Sequence, residues 1–145
     1  MAKKPTYDEL ENRIRELQQE IAERIHVGRM LQFEKEFAEN LVNTAQVIVL
    51  VLDIDGCIVS FNPYMEAVSG YKLAEAVGKD WFKTFLPEND HKTLKKLFKL
   101  AVSDIQTKGN VNPIKTKDGR ELPVEWNDKT LKDKDGKIVG LLAIG

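Results

Sequence analysis

Hydrophobic positions along the chain change their period near residue 44. Before it they fall at helical spacing: Leu10, Ile14, Leu17 and Ile21 are separated by steps of 4, 3 and 4, the period of a coiled-coil seam. Thr6-Tyr7-Asp8-Glu9 opens this stretch as a capping box, in which hydroxyl and carboxylate each reach a backbone N–H that the helix leaves unpaired. Glu11–Arg15 and Glu20–Arg24 add acid-first pairs four residues apart. The strict heptad fails at Arg24 and Gly28, and Ile25 takes over after a four-residue step that locally unwinds a left-handed supercoil. Met30, Phe33, Phe37 and Leu41 continue an apolar stripe, expected to run onto the following domain. The spacing predicts a long helix that pairs with a second copy through Leu10, Ile14, Leu17, Ile21 and Ile25. The alternative is a helix folded back on its own domain. Residues 6–24 are charged outside one narrow stripe, which favours the pair.

Beyond residue 44 the pattern becomes one of short strands and turns. Val47–Leu52 is a β-branched run, and with Ile58–Phe61 it frames Asp55-Gly56 as a hairpin. Asp118-Gly119 separates residues 111–117 from 121–130, and Asp135-Gly136 separates that strand from 137–144. Between the strand groups, Asn62-Pro63 reads as an N-cap followed by proline at the first helical position, with an end at Ser69-Gly70. Leu73–Val77 makes a second short helix closed by Gly78. Leu94, Leu97, Phe98, Ala101 and Ile105 mark the apolar face of a longer third one, beginning near Pro87–Asp90. The order ββαααβββ predicts an α+β domain: antiparallel strands with the inserted helices on one face. Glycine and proline mark the same division, since residues 1–43 hold only Gly28 and Pro5. The expected organisation is a helical arm over residues 1–36 and a compact domain over 37–145.

Composition narrows the function classes. At 145 residues the chain has room for one domain and an arm, and with 42% apolar residues it has enough for one core. Its 22 basic and 23 acidic residues leave a net charge of −1, which argues against a nucleic-acid partner. A single cysteine, Cys57, excludes an internal disulfide framework and a multi-cysteine zinc site. Val47–Leu52 is far shorter than the roughly 20 residues a membrane helix needs, and no signal-peptide pattern opens the chain. A soluble, cytoplasmic protein without membrane insertion is expected.

Several segments together resemble the PAS sensory domains. Val51–Asn62 looks like the family's first hairpin with its terminal asparagine. Gly70-Tyr71, Leu73, Glu75, Val77 and Gly78-Lys79 resemble its "G-Y-S-x-E-E-L-I-G-K" segment, and Leu86–Asp90 resembles the "hydrophobic-P-E-D" entry to its long helix. Lys115–Glu121 with Val124-Glu125, and Asp135-Gly136 with Ile138–Gly140, are similar to its last two hairpins. The likeness covers residues 37–145, and the arm looks like the signalling helices common upstream of such domains. It implies a PAS fold: a five-stranded antiparallel sheet of order 2-1-5-4-3, short helices on one face and a small cavity between. It further implies a sensory, signal-transducing role as the input domain of a longer signalling protein whose output domain lies elsewhere. A sensor histidine kinase of a two-component system is the first expectation and a cyclic-dinucleotide enzyme the alternative. A ligand-free dimerisation or protein-docking module is the competing reading.

Candidate chemistry is sparse. Haem-binding relatives use a histidine on or near the long helix, where His91 lies. Many non-haem relatives carry Arg or His there too, so a surface or capping histidine without haem is expected. The stretch Asp80–Leu86 lacks the reactive cysteine and arginine of photoactive flavin domains, which rejects that cofactor. Cys57 stands near Asp53 and Asp55, the wrong neighbours for a reactive thiol. His26 has no ligand partner nearby. Gly70 and Gly78-Lys79 fail as a phosphate loop, and the two Asp-x-Asp-Gly turns fail as calcium loops. No catalytic residue and no metal site are expected, and the fragment is read as no enzyme. Lys92, Lys95, Lys96 and Lys99 form a solvated basic stripe, with contact to an acidic partner as the alternative. Trp81, Phe82, Phe85 and Trp126 fall where the family's cavity lies. They either plug it or line a pocket for a small, mostly apolar molecule. The candidate pocket residues are Asn62, Trp81, Phe85, His91, Trp126 and Thr130, and Asn112 is a further source of polar groups. Val47–Leu52 is apolar at both parities, which leaves the inward side open.

Overall fold

The computed structural model describes residues 4–105 and 108–145. Its elements are α1 (Tyr7–Thr44), β1 (Val49–Asp53), β2 (Ile58–Phe61), α2 (Pro63–Ser69), α3 (Leu73–Ala76), α4 (Trp81–Phe85), α5 (His91–Ala101), β3 (Lys108–Lys115), β4 (Glu121–Lys132) and β5 (Ile138–Ile144), with a 3-10 turn at Glu88–Asp90 ahead of α5. The chain divides into two compact units, Met1–Leu41 and Val42–Gly145.

In the first unit, sequence-local chemistry accounts for the helix. Thr6 N–H donates to Glu9 Oε2 at 2.7 Å and Glu9 N–H to Thr6 Oγ1 at 3.3 Å, the capping box in place. Glu11–Arg15 and Glu20–Arg24 pair at 3.3 and 2.7 Å. The 38-residue α1 runs unbroken through Gly28 and buries none of its residues.

In the second unit all five strands join one antiparallel sheet in the order β2-β1-β5-β4-β3. Turn chemistry sets the hairpins. Asp53 Oδ1 accepts from the N–H groups of Asp55 and Cys57, each at 2.9 Å, and Gly56 follows at φ 82°. A Cβ on Gly56 would stand 2.8 Å from the Phe82 ring, so the position needs glycine for space as well as for backbone. Asp133 Oδ1 repeats the device with Asp135 and Lys137 in the β4–β5 turn. β5 is central with β1 and β4 on either side, and Gly140 of β5 lies so close to the Leu52 carbonyl that no side chain would fit.

On β1, β3, β4 and β5 one parity faces the helices, while β2, whose pairing with β1 shifts register, buries Ile58 and Phe61 three residues apart. Leu50 and Leu52 of β1, Ile58 and Phe61 of β2, Ile114 of β3, Val124 and Trp126 of β4, and Leu141 and Ala143 of β5 are buried there, with Met65, Ala76, Phe82, Phe85 and Leu94 against them from the helices. At the outer margin Pro113 of β3 stands opposite Pro123 of β4, on a stretch of β4 that precedes its pairing with β5.

Two expectations need correction. The helical layer holds one helix more than ββαααβββ allowed, because Trp81–Phe85 forms α4. Ile105 does not extend the apolar face of the long helix: α5 ends at Ala101, Asp104 turns into the left-handed region at φ 66°, and Ile105 is exposed.

Candidate functional site

The short helix α4 builds the roof of a half-open cavity between sheet and helices. Asp80 starts it by accepting the Lys83 N–H at 3.0 Å, and its one turn delivers Trp81, Phe82 and Phe85 inward, all buried. Trp81 stacks on Phe85 at 4.7 Å between ring centres and meets Trp126 edge-on at 5.7 Å. Phe82 meets Phe98 edge-on at 5.6 Å. The cavity they leave has a volume of about 70 Å³. Leu50, Leu52, Leu141 and Ala143 form its floor on the sheet. Trp81, Phe82 and Leu86 with Leu94, Leu97 and Phe98 of α5 cover it.

Its polar side comes from the outer strands. Asn110 and Asn112 of β3 and Asp128 of β4 border the cavity with Trp126. Register explains them. Asn110 pairs with Trp126 and Asn112 with Val124, both inward residues of β4, while the buried Ile114 fixes the same parity at the far end of β3. Val111, between the two asparagines, is turned outward and 64% exposed. At this end of β3 the two asparagines face in and the valine between them faces out.

Of the six candidate pocket residues, Trp81 and Trp126 border the cavity. Phe85 is fully buried behind Trp81, packed also against Phe61 and Tyr71. Asn62, only 2% exposed, is occupied in the scaffold: Oδ1 accepts from Val49 N–H (3.1 Å) and Met65 N–H (3.3 Å), and Nδ2 donates to the carbonyls of Val42 (3.1 Å) and Val47 (2.8 Å). His91 donates from Nε2 to the Leu86 carbonyl at 2.8 Å and so ties α5 to the end of α4. Thr130 Oγ1 donates to Asp104 Oδ1 at 2.9 Å, and Lys132 pairs with the same carboxylate at 2.7 Å. The Lys132 and Thr130 bonds hold the Asp104 carboxyl below its ordinary pKa. Asn110 and Asp128 were missed by sequence reasoning; the two-residue spacing of Asn110, Asn112 and Ile114 on β3, and of Val124, Trp126 and Asp128 on β4, was the signal that places each on the inward side of its strand.

Other reactive groups are quiet. Burial pushes the Cys57 thiol up, and the charges of Asp53, Asp80 and Asp55 add to it, so it resists forming thiolate. Among the described residues no three His, Cys, Asp or Glu side chains are grouped to hold a metal ion. No described helix is long and apolar enough to cross a membrane. Lys92, Lys96 and Lys99 are exposed on α5, and Lys95 Nζ lies 5.6 Å from the Phe82 ring centre.

A five-stranded antiparallel sheet in this order, with short helices over a small cavity on one face, defines an α+β domain with its cavity between sheet and helices. Residues 36–145 match the PAS fold family, and the chain belongs to it. Phytochrome D of Arabidopsis thaliana is 28% identical over an alignment 109 residues long, which covers 72% of this chain and 9% of that protein. The chain thus spans only a small part of the curated relatives it matches. The crystal structure of the PAS domain of a protein from Colwellia psychrerythraea superposes with a TM-score of 0.69 at 18% identity, covering 77% of this chain and 93% of that one. A domain of a sensory box sensor histidine kinase/response regulator from Geobacter sulfurreducens gives a TM-score of 0.64 at 23% identity, over 77% and 95% of the two chains.

Proposed function

We propose that this chain is a sensory module that takes a very small, mostly apolar ligand into its cavity and relays occupancy through a parallel dimer of its α1 helices. The observation that carries the reading is the cavity: about 70 Å³ with apolar floor and roof and a polar side at Asn110, Asn112 and Asp128. Drug-sized ligands occupy roughly 300–1,000 Å³, so the volume argues for a molecule of a few heavy atoms rather than haem or flavin. The dimer is supported by Ile14 and Ile21 at a positions and Leu10 and Leu17 at d, the combination that favours two parallel strands. The ligand acts by binding one helix arrangement better than another. The output is a domain of a longer cytoplasmic signalling protein, a sensor histidine kinase first and a cyclic-dinucleotide enzyme second.

The competing reading, a ligand-free docking module, draws on the Trp81–Phe85–Trp126 cluster, which fills much of the space. Both tryptophans of the chain border the cavity, so intrinsic emission reports on its contents. Native mass spectrometry of freshly purified protein, followed by titration of small alcohols and amides under tryptophan fluorescence, separates the two. Saturable emission changes that Ala143→Val abolishes support the sensor. No bound mass and no saturable change leaves the docking module.

A further inference from the structure

The apolar residues on either side of Gly28 do not share a face of α1. At 3.6 residues per turn, the mean direction of Leu10, Ile14, Leu17, Ile21 and Ile25 lies roughly half a turn from that of Met30, Phe33, Phe37 and Leu41. The expectation of one continuing stripe is therefore corrected: α1 carries two, back to back, and the changeover falls between Ile25 and Met30. Every one of these side chains is exposed. A single neighbouring helix alongside an unbroken rod covers one stripe and leaves the other in water.

The second stripe has its own marks of self-pairing. The rings of Phe33 and Phe37 stack 6.2 Å apart with planes 12° from parallel, a continuous apolar ridge. With Met30 and Phe37 at a and Phe33 at d, Arg29 falls at g and Glu34 at e. In a parallel, in-register pair, g of one helix meets the e five residues further along the other. Arg29 then meets Glu34 of the second copy, twice by symmetry. The ion pairs within the arm, Arg13–Glu16, Arg15–Glu11 and Arg24–Glu20, use neither residue.

We infer that α1 holds two mutually exclusive faces for a second copy of the chain: a ground-state dimer along Leu10–Ile25 and an alternative dimer along Met30–Leu41, reached by turning each helix about half a turn. The inference rests on the dimer proposed above and supplies its second state. The first seam dominates because it has alternating Ile and Leu, whereas the second is shorter and meets Asn40 at its next d position.

Disulfide trapping in the full chain, with Cys57→Ser and one new cysteine at a time, tests it. Leu17→Cys is expected to cross-link readily and Phe37→Cys weakly. Adding Ile14→Asp puts a charge into the first seam alone, and Ile14 is 54% exposed, so the fold is untouched. It should cut the Leu17→Cys cross-link about tenfold and raise the Phe37→Cys cross-link severalfold, while Glu39→Cys, which lies opposite Phe37 on the side of the first seam, falls together with Leu17→Cys. If Ile14→Asp lowers the Leu17→Cys and Phe37→Cys cross-links together, or Phe37→Cys never exceeds Glu39→Cys, the alternative face is wrong. If Leu17→Cys fails to cross-link with Ile14 intact, the dimer itself is wrong and the inference falls with it.

Discussion

Asn62 joins three segments through one side-chain amide, and its two ends do different work. Its oxygen caps α2 and holds β1, while its nitrogen grips the carbonyls of Val42 and Val47 at the end of α1 and the entry to β1. Asn62→Asp keeps the acceptor and turns both donor contacts into repulsion between a carboxylate oxygen and carbonyls. It should lower unfolding stability by about 2–4 kcal/mol, since each lost hydrogen bond contributes roughly 0.5–1.5 and a buried carboxylate adds a desolvation cost. Urea unfolding followed by tryptophan emission measures this, and a change below about 0.5 kcal/mol would refute the scaffold role. A polar residue at a family-like position invites a ligand role, yet sequence alone shows neither which backbone groups lie within reach nor how many remain unpaired. Asn62, His91 and Thr130 share that limit. Each pairs with a partner that local spacing does not reveal: Val42, the Leu86 carbonyl and Asp104.

Elements were legible in proportion to the length and regularity of their pattern. α1 was readable from its capping box and its 4-3-4 spacing, and the hairpins from their Asp-Gly turns. α4 was not, because five residues make barely more than one turn and offer no period to count. The inward face of β1 was equally hidden, since Val49 and Val51 are as apolar as Leu50 and Leu52. β3 misleads more actively: hydrophobicity would turn Val111 in, but pairing with β4 turns Asn110 and Asn112 in. Gly28 permits a test at this scale. It lies inside a continuous helix, and a Cβ there meets nothing within 4 Å. Gly28→Ala should therefore stabilise the arm by about 1 kcal/mol, seen as a higher-melting helical signal in far-ultraviolet circular dichroism. Loss of helical signal would mean that the glycine serves a break.

For the whole molecule, acid sensitivity follows from carboxylates held by hydrogen bonds. Glu66 accepts the Leu73 N–H at 2.9 Å and Lys72 Nζ at 3.0 Å, and these bonds, the backbone one first, lower its pKa. Lys117 does the same for Glu75, Lys132 for Asp104 and Thr116 for Asp118. A carboxyl whose pKa is lower folded than unfolded contributes fully above its ordinary value and loses that contribution as pH falls through the lowered one. Stability should thus be flat from neutral pH down to the ordinary carboxylate range and decline below it. Glu66, the least exposed of the four, suffers the least solvent screening, so Glu66→Gln should flatten this acid limb more than Asp118→Asn does. Urea midpoints across a pH series decide it, and equal slopes in the two variants would refute the assignment. At this scale the fold was largely readable, because the order of turns and helices, joined with the family resemblance, named a sheet whose strand order no local pattern contains.

The facing prolines at the margin of β3 have a consequence for how copies of this chain meet. Neither Pro113 nor Pro123 has an N–H to offer, and the other border of the sheet is the four-residue β2. Strand-by-strand growth into fibrils or swapped sheets finds no long, regular template at either border. Encounters between molecules are thereby steered away from backbone zippering and left to side-chain surfaces, which can release as readily as they join.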